Sequence, residues 1–170
     1  MIKHHQDIVI RQAHTNDFEK IWKIFQEVIR SMDTYAFDPH TSKEDAYKIW
    51  MSPDNQVYVA AINNEIVGTY YIKPNQPGLG SHVANAAYMV DPHNQGLGIG
   101  NAMALHSIDE AKKSGYIAMQ FNFVVSSNEN AVKLWKKMGF KIIGVSPKAF
   151  KHPKLDFVDV FIMHRFLNDN

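Results

Sequence analysis

The chain has 170 residues, a formal net charge of +1 with histidine neutral, and no cysteine. That length suits one domain that buries its own core; the missing cysteines exclude a disulfide framework, thiolate zinc sites and a cysteine nucleophile; and the balanced charge, with no Lys/Arg stripe, points away from nucleic acid and membrane surfaces. No apolar run reaches the roughly 20 residues of a membrane span, and the opening MIKHHQDIVI lacks the apolar region of a signal peptide, so the expected location is cytoplasmic.

A first strand is read at 7–13, DIVIRQA. Thr15 then caps a helix in which Phe18, Ile21, Trp22, Phe25, Val28 and Ile29 recur at three- and four-residue spacing, giving one core face. A shorter helix starts at TSKED, where Thr41 and Glu44 have capping-box spacing. Residues 57–62 and 66–72, joined by two asparagines, read as a hairpin, and PNQPGLG (74–80) must be a loop. A strand at 83–90 runs into Gly96, Gly98 and Gly100. The next helix carries Ile99, Ala102, Leu105 and Ile108 on one side and stops before Gly115. Residues 118–125 form a strand, buried-looking around Phe121–Val125. Asn128 opens a helix with Ala131, Leu134, Trp135 and Met138 on one stripe, ended by Gly139. Strands at about 140–146 and 157–164 close the chain. The order β-α-α-β-β-β-α-β-α-β-β predicts one α/β domain over 1–170, a mixed sheet covered by helices.

The loop VDPHNQGLGIGNAM is the first place where chemistry is legible. A dinucleotide fingerprint needs glycine at 101, where Asn101 stands, and an acid after the next strand, where Val124 and Val125 stand. A P-loop needs Gly-Lys-Ser/Thr, and no such triplet occurs. What remains is a strand, a glycine-rich turn and a helix start, whose unpaired N–H groups at the positive end of the helix dipole suit a phosphate or pyrophosphate. A tight turn with no ligand has the same spacing, and spacing alone leaves both open.

Gln95-Gly96-Leu97-Gly98-Ile99-Gly100 resembles the Q/R-x-x-G-x-G/A signature of the GNAT superfamily, the acetyl-CoA-dependent N-acetyltransferases. About 30 residues on, Asn128-x-x-Ala131-x-x-Leu134-Trp135-x-x-x-Gly139-Phe140 resembles that family's second signature, N-x-x-A-x-x-L-Y-x-x-x-G-F. The element order is similar too, over nearly the whole chain. The resemblance implies the GNAT fold, with a mixed, mostly antiparallel central sheet flanked by helices. It also implies acetyl-CoA as acyl donor, a small-molecule amine as acceptor, and dimerisation as a common family habit.

The same resemblance distributes roles. The backbone N–H groups of Gln95, Gly96, Leu97, Gly98, Ile99, Gly100 and Asn101 would wrap the pyrophosphate of coenzyme A. Met89 and Val90 would pair with the pantetheine arm as an added strand would. The Asn101 side chain either adds a phosphate hydrogen bond or is a plain first-turn residue. Asn128 would cap its helix and touch pantetheine. Trp135 departs from the family's usual tyrosine; an indole cannot protonate the leaving thiolate, so it reads as a core aromatic with an edge toward CoA. The strand SHVANAAYMV carries no carboxylate, which leaves His82, Asn85 and water as proton routes, with His82 equally readable as a surface residue.

Around Asn122 the text FNFVVSSNENAVKLW, with KPNQPGLGSHVANA, resembles a subgroup that includes fungal acetyltransferases of azetidine-2-carboxylate and related proline analogues. That resemblance makes Asn122 a residue that holds the substrate amine; a structural hydrogen bond to a neighbouring strand is the other reading. Tyr70, Tyr71 and Asn75 would border the acceptor pocket, and Tyr35 and Phe37 would close over it. No histidine pair has metal-ligand spacing, so no metal is assigned. Two other functions fit the same residues: a protein or peptide N-acetyltransferase, and a GNAT-shaped module that binds acyl-CoA without turnover.

Overall fold

The computed structural model describes residues 7–168. Its elements, in chain order, are β1 (Val9–Gln12), α1 (Phe18–Ser31), α2 (Lys43–Trp50), β2 (Gln56–Ile62), β3 (Glu65–Pro74), β4 (Val83–Val90), α3 (Ile99–Lys113), β5 (Ala118–Val125), α4 (Glu129–Lys137), β6 (Lys141–His152) and β7 (Asp156–Phe166). They form one seven-stranded sheet in the order β1-β2-β3-β4-β5-β7-β6. Every neighbouring pair is antiparallel except β4 and β5, which α3 joins in parallel. The order of elements predicts a mixed sheet covered by helices, and the sheet found is mixed and mostly antiparallel, as the resemblance implies.

The local chemistry differs from the sequence reading at three places. Thr15 does not cap α1: it begins a short 3-10 turn, and the Asp17 carboxylate takes the His14 N–H at 2.7 Å instead. The cap of α2 lies one residue later than Thr41/Glu44, because the Ser42 hydroxyl accepts from the Asp45 N–H at 3.1 Å while Thr41 turns back to the Asp38 carbonyl. The last hairpin is longer than 140–146 and 157–164. Pro147 looks like a stop, yet the ladder jumps from Ser146–Val160 to Phe150–Val158, so it sits in a bulge of an edge strand that needs no N–H there. The β2–β3 turn is as read: Asn63 (φ 50°) and Asn64 (φ 66°) both take the left-handed region that a two-residue hairpin demands.

The two faces of the sheet bury separate cores. On one face Met103 of α3 and Trp135 of α4 pack with Tyr58, Tyr70, Ile72, Met119, Phe121 and Met163 of the sheet. On the other face Ile21, Phe25 and Ile29 of α1 and Trp50 of α2 pack with Val59, Tyr71 and Met89 of the sheet. Strand alternation makes this sorting, since Tyr70 and Tyr71 must point to opposite faces. Among the described residues no helix is long and apolar enough to cross a membrane.

One polar link crosses the second core. Trp50 Nε1 donates to the fully buried Thr69 hydroxyl at 3.0 Å, which donates on to the Tyr58 carbonyl at 2.8 Å. Thr69→Val keeps the shape and strands the indole N–H, so the midpoint of urea unfolding should fall by the equivalent of about 1–3 kcal/mol. Adding Trp50→Phe to that variant should recover part of the loss.

Candidate active site

β4 and β5 pair for only two residues, Val83 with Ala118 and Ala84 with Met119. Beyond them β4 stays on β3 as far as Val90, and β5 follows β7 as far as Val125. The strands part, and the Asn85 amide bridges the first step of the gap by donating to the Gln120 carbonyl at 2.9 Å. A cavity of about 1130 Å³ fills the opening.

Two backbone edges and a helix start face into it. The Asp91 N–H bonds Val67 on β3, whereas the Tyr88 N–H and C=O both turn the other way, to the Tyr35 hydroxyl at 2.9 and 2.7 Å. Alternation along the strand therefore gives the cleft the main-chain groups of Tyr88 and Val90. Met89 also lines the cavity, but its main chain faces β3, so of the expected pair Met89 and Val90 only Val90 turns its main-chain groups to the cleft.

The glycine loop follows. The Asp91 carboxylate accepts from the His93 N–H and the Asn94 amide, each at 2.9 Å, and folds a 3-10 turn. Gly96 (φ +80°) and Gly98 (φ +81°) are left-handed, with open space where a Cβ would sit. Glycine is thus required there by backbone angle. Gly100 is an ordinary helical residue. Gly98 starts α3 without a side-chain cap, and the first helical N–H to find a partner is that of Ala102, on the Gly98 carbonyl at 3.0 Å. The N–H groups of Ile99, Gly100 and Asn101 are left at the helix start for an anion. The Leu97 side chain is half exposed, and Asn101 Oδ1 accepts from Lys137 at 3.3 Å.

The far wall belongs to β5 and α4. A bulge lies between Phe121, opposite Met163, and Val124, opposite Phe161. The extra residue turns both Asn122 and Phe123 out of the core, so the strand is not continuously buried as its sequence suggests. Asn122 Nδ2 donates to Asn75 Oδ1 at 2.7 Å and Asn122 Oδ1 accepts from Gln120 at 2.9 Å. Asn128 caps α4 by accepting the Ala131 N–H at 3.2 Å, and it also lines the cavity. Trp135 is 8% exposed and packs on Tyr88 and Phe121 with ring centroids 4.8 and 4.5 Å away.

The segment between α1 and α2 closes the third side. Tyr35 and Phe37 stack at 5.4 Å and both line the cavity with Tyr71 and Asn85. Burial pushes the hydroxyls of Tyr35, Tyr71 and Tyr88 up, so they serve as protonated donors rather than bases. The Thr34 hydroxyl, also at the cavity, and the Ser127 hydroxyl are buried without a hydrogen-bond partner.

Two expected residues lie elsewhere. Tyr70 points to the opposite face, where its hydroxyl meets His106, and so cannot border the pocket with Tyr71. His82 is exposed, outside the cavity lining. Conversely, Asp33 and Phe123 line the cavity and were not read from sequence. Asp33 is the one charged side chain among its described lining residues. On the surface, Glu27, Asp91 and His93 gather ligand-type atoms within 4.8 Å of one another, and His93 Nε2 lies 3.1 Å from the Glu27 carboxylate.

Residues 18–140 match the model of the acetyltransferase (GNAT) family. The N-acetyltransferase aca1 of Schizosaccharomyces pombe is 32% identical over 100 residues, 58% of this chain and 48% of that protein, so the chain matches about half of that relative's length. The L-amino acid N-acetyltransferase AaaT of Escherichia coli is 29% identical over 164 residues, 94% of this chain and 98% of its own. A solved GCN5-related N-acetyltransferase from Kribbella flavida superimposes with a TM-score of 0.90 at 39% identity, over 94% of this chain and 97% of its own.

The glycines separate by experiment. Gly98→Ala forces a side chain into the left-handed region and should cost roughly 1–2 kcal/mol in denaturant unfolding. Gly100→Ala should leave stability unchanged or raise it by up to about 1 kcal/mol, as an alanine in a helix does.

Proposed function

The chain belongs to the acetyltransferase (GNAT) family, and we propose that it moves an acetyl group from acetyl-CoA to the amine of a small molecule, an amino acid or an analogue of one. The observation that carries this reading is the cleft between β4 and β5. It brings an uncapped helix start and a strand edge with no partner strand into one cavity. The residues fit the donor. The N–H groups at the start of α3 suit the pyrophosphate, with left-handed Gly96 and Gly98 leaving the approach clear. Val90 and Tyr88 offer strand-type pairing to the amide-bearing arm, and Asn128 stands beside them.

Acetyl-CoA supplies a thioester carbon that a neutral amine attacks directly: the C–N bond forms, the C–S bond breaks, the thiolate leaves, and the proton lost by the amine passes to water and on to that thiolate, giving the free thiol. Asn122 holds the amine, itself fixed by Asn75 and Gln120. Trp135 is a packed aromatic with no acid to give. Thiolate leaves unaided near neutral pH, since a thiol pKa is about 8.5. The match to AaaT over nearly the whole chain supports an amino acid as acceptor, and the residues around Asn122 favour the proline-analogue form of it.

Thiol release from acetyl-CoA, followed over amino acids, proline analogues, polyamines and short peptides, tests the reading without background from the cysteine-free chain. Release with amino acids or their analogues is expected. A protein that CoA stabilises against heat but that releases no thiol with any amine would be a binding module instead. Gly98→Asp should abolish CoA binding by placing a negative charge at the phosphate site. Asn122→Ala should lower kcat by 10-fold or more, as about 1.4 kcal/mol of lost positioning would, with CoA affinity within a factor of about two.

A further inference from the structure

An α-amino acid brings a carboxylate as well as an amine, and the cavity lining holds no cation to meet it; its only described charge is the acid Asp33. A cation stands on β3, outside the lining but next to two lining residues. Past the end of that strand the Asn75 N–H still bonds the Val83 carbonyl at 2.8 Å, so the alternation that puts Tyr71 and Lys73 on one face extends to Asn75. Tyr71 lines the cavity, and Lys73 Nζ lies 5.7 Å from the centre of its ring. Directly opposite Lys73 on β4 is Asn85, a cavity residue, and two residues further along is Asn75, which fixes Asn122. Lys73 is half-buried and forms no ion pair among the described residues.

We propose that Lys73 reads the carboxylate of the acceptor, which makes an amino acid with a free α-carboxyl the substrate class; this rests on the small-amine reading above. The Tyr71 ring steers the ammonium toward the cavity mouth by a cation–π contact. Neutral amides, Asn75, Asn85 and Asn122, surround the place where the acceptor's carboxylate and amine would lie side by side. A lysine that only snorkels along Tyr71 has the same contact but no effect on acceptor choice.

The test pairs acids with their amides: L-proline with L-prolinamide and L-leucine with L-leucinamide, titrated calorimetrically into CoA-saturated protein. The wild type should bind at least one acid about 10- to 100-fold more tightly than its amide. Lys73→Met should erase that preference while leaving affinity for the amide and for CoA unchanged, and Lys73→Arg should keep it. If neither acid is preferred in the wild type, or if Lys73→Met weakens acid and amide alike, the assignment is wrong. Thiol release with the same compounds keeps the two proposals apart. Release without acid preference leaves the transferase standing and removes Lys73 from it. Acid preference that Lys73→Met erases, with no release from any amine, keeps the carboxylate site and overturns the transfer.

Discussion

Everything at the site depends on β4 and β5 parting after two pairs. Each strand is committed to its other neighbour: β4 to β3 from Ala84 through Val90, and β5 to β7 across a bulge. Trp135 reinforces the split from one face. It sits on Tyr88 of β4 and Phe121 of β5 at once, so closing the gap would drive two packed rings into a third. An indole is bulky enough to act as a wedge, which gives this position a purpose where a tyrosine's acid is absent. The cost of parting is a strand edge with unpaired main-chain groups in a partly buried place. Asn85 and Tyr35 meet part of that cost.

Tyr35 also ties the two halves of the cavity together. Its hydroxyl bonds both main-chain groups of Tyr88, and its ring stacks on Phe37, which packs on Phe25 of α1. The α1–α2 segment is thereby pinned to β4. Since the hydroxyl occupies strand-pairing groups that face the cleft, any ligand pairing at Tyr88 shares them with Tyr35 or moves it. Two walls of the cavity are joined through one residue.

Signals that sit within a few residues of one another were legible in the sequence. The helices, the Asn63-Asn64 turn, the glycine loop and the Asn128 cap each follow from short-range spacing, and the family resemblance added roles to them. What escaped depends on register between distant strands. The bulge that turns Asn122 and Phe123 out of the core is set by pairing with β7, some 40 residues away in sequence. The same limit separated Tyr70 from Tyr71: both look like pocket residues, and alternation admits only one. It also hid the position of Lys73, which faces Asn85 across the β3–β4 ladder. Asp33 was missed because nothing local marks it, and it reaches the cavity only through the fold of the α1–α2 segment.

Amide hydrogen exchange, resolved by residue and compared with and without acetyl-CoA, tests most directly whether the cleft is the donor site. New protection is expected at Val90 on the strand edge and at Ile99, Gly100 and Asn101 at the start of α3, with little change along β1 or β6. Protection confined to another surface, or none at these four amides under saturating ligand, would contradict it.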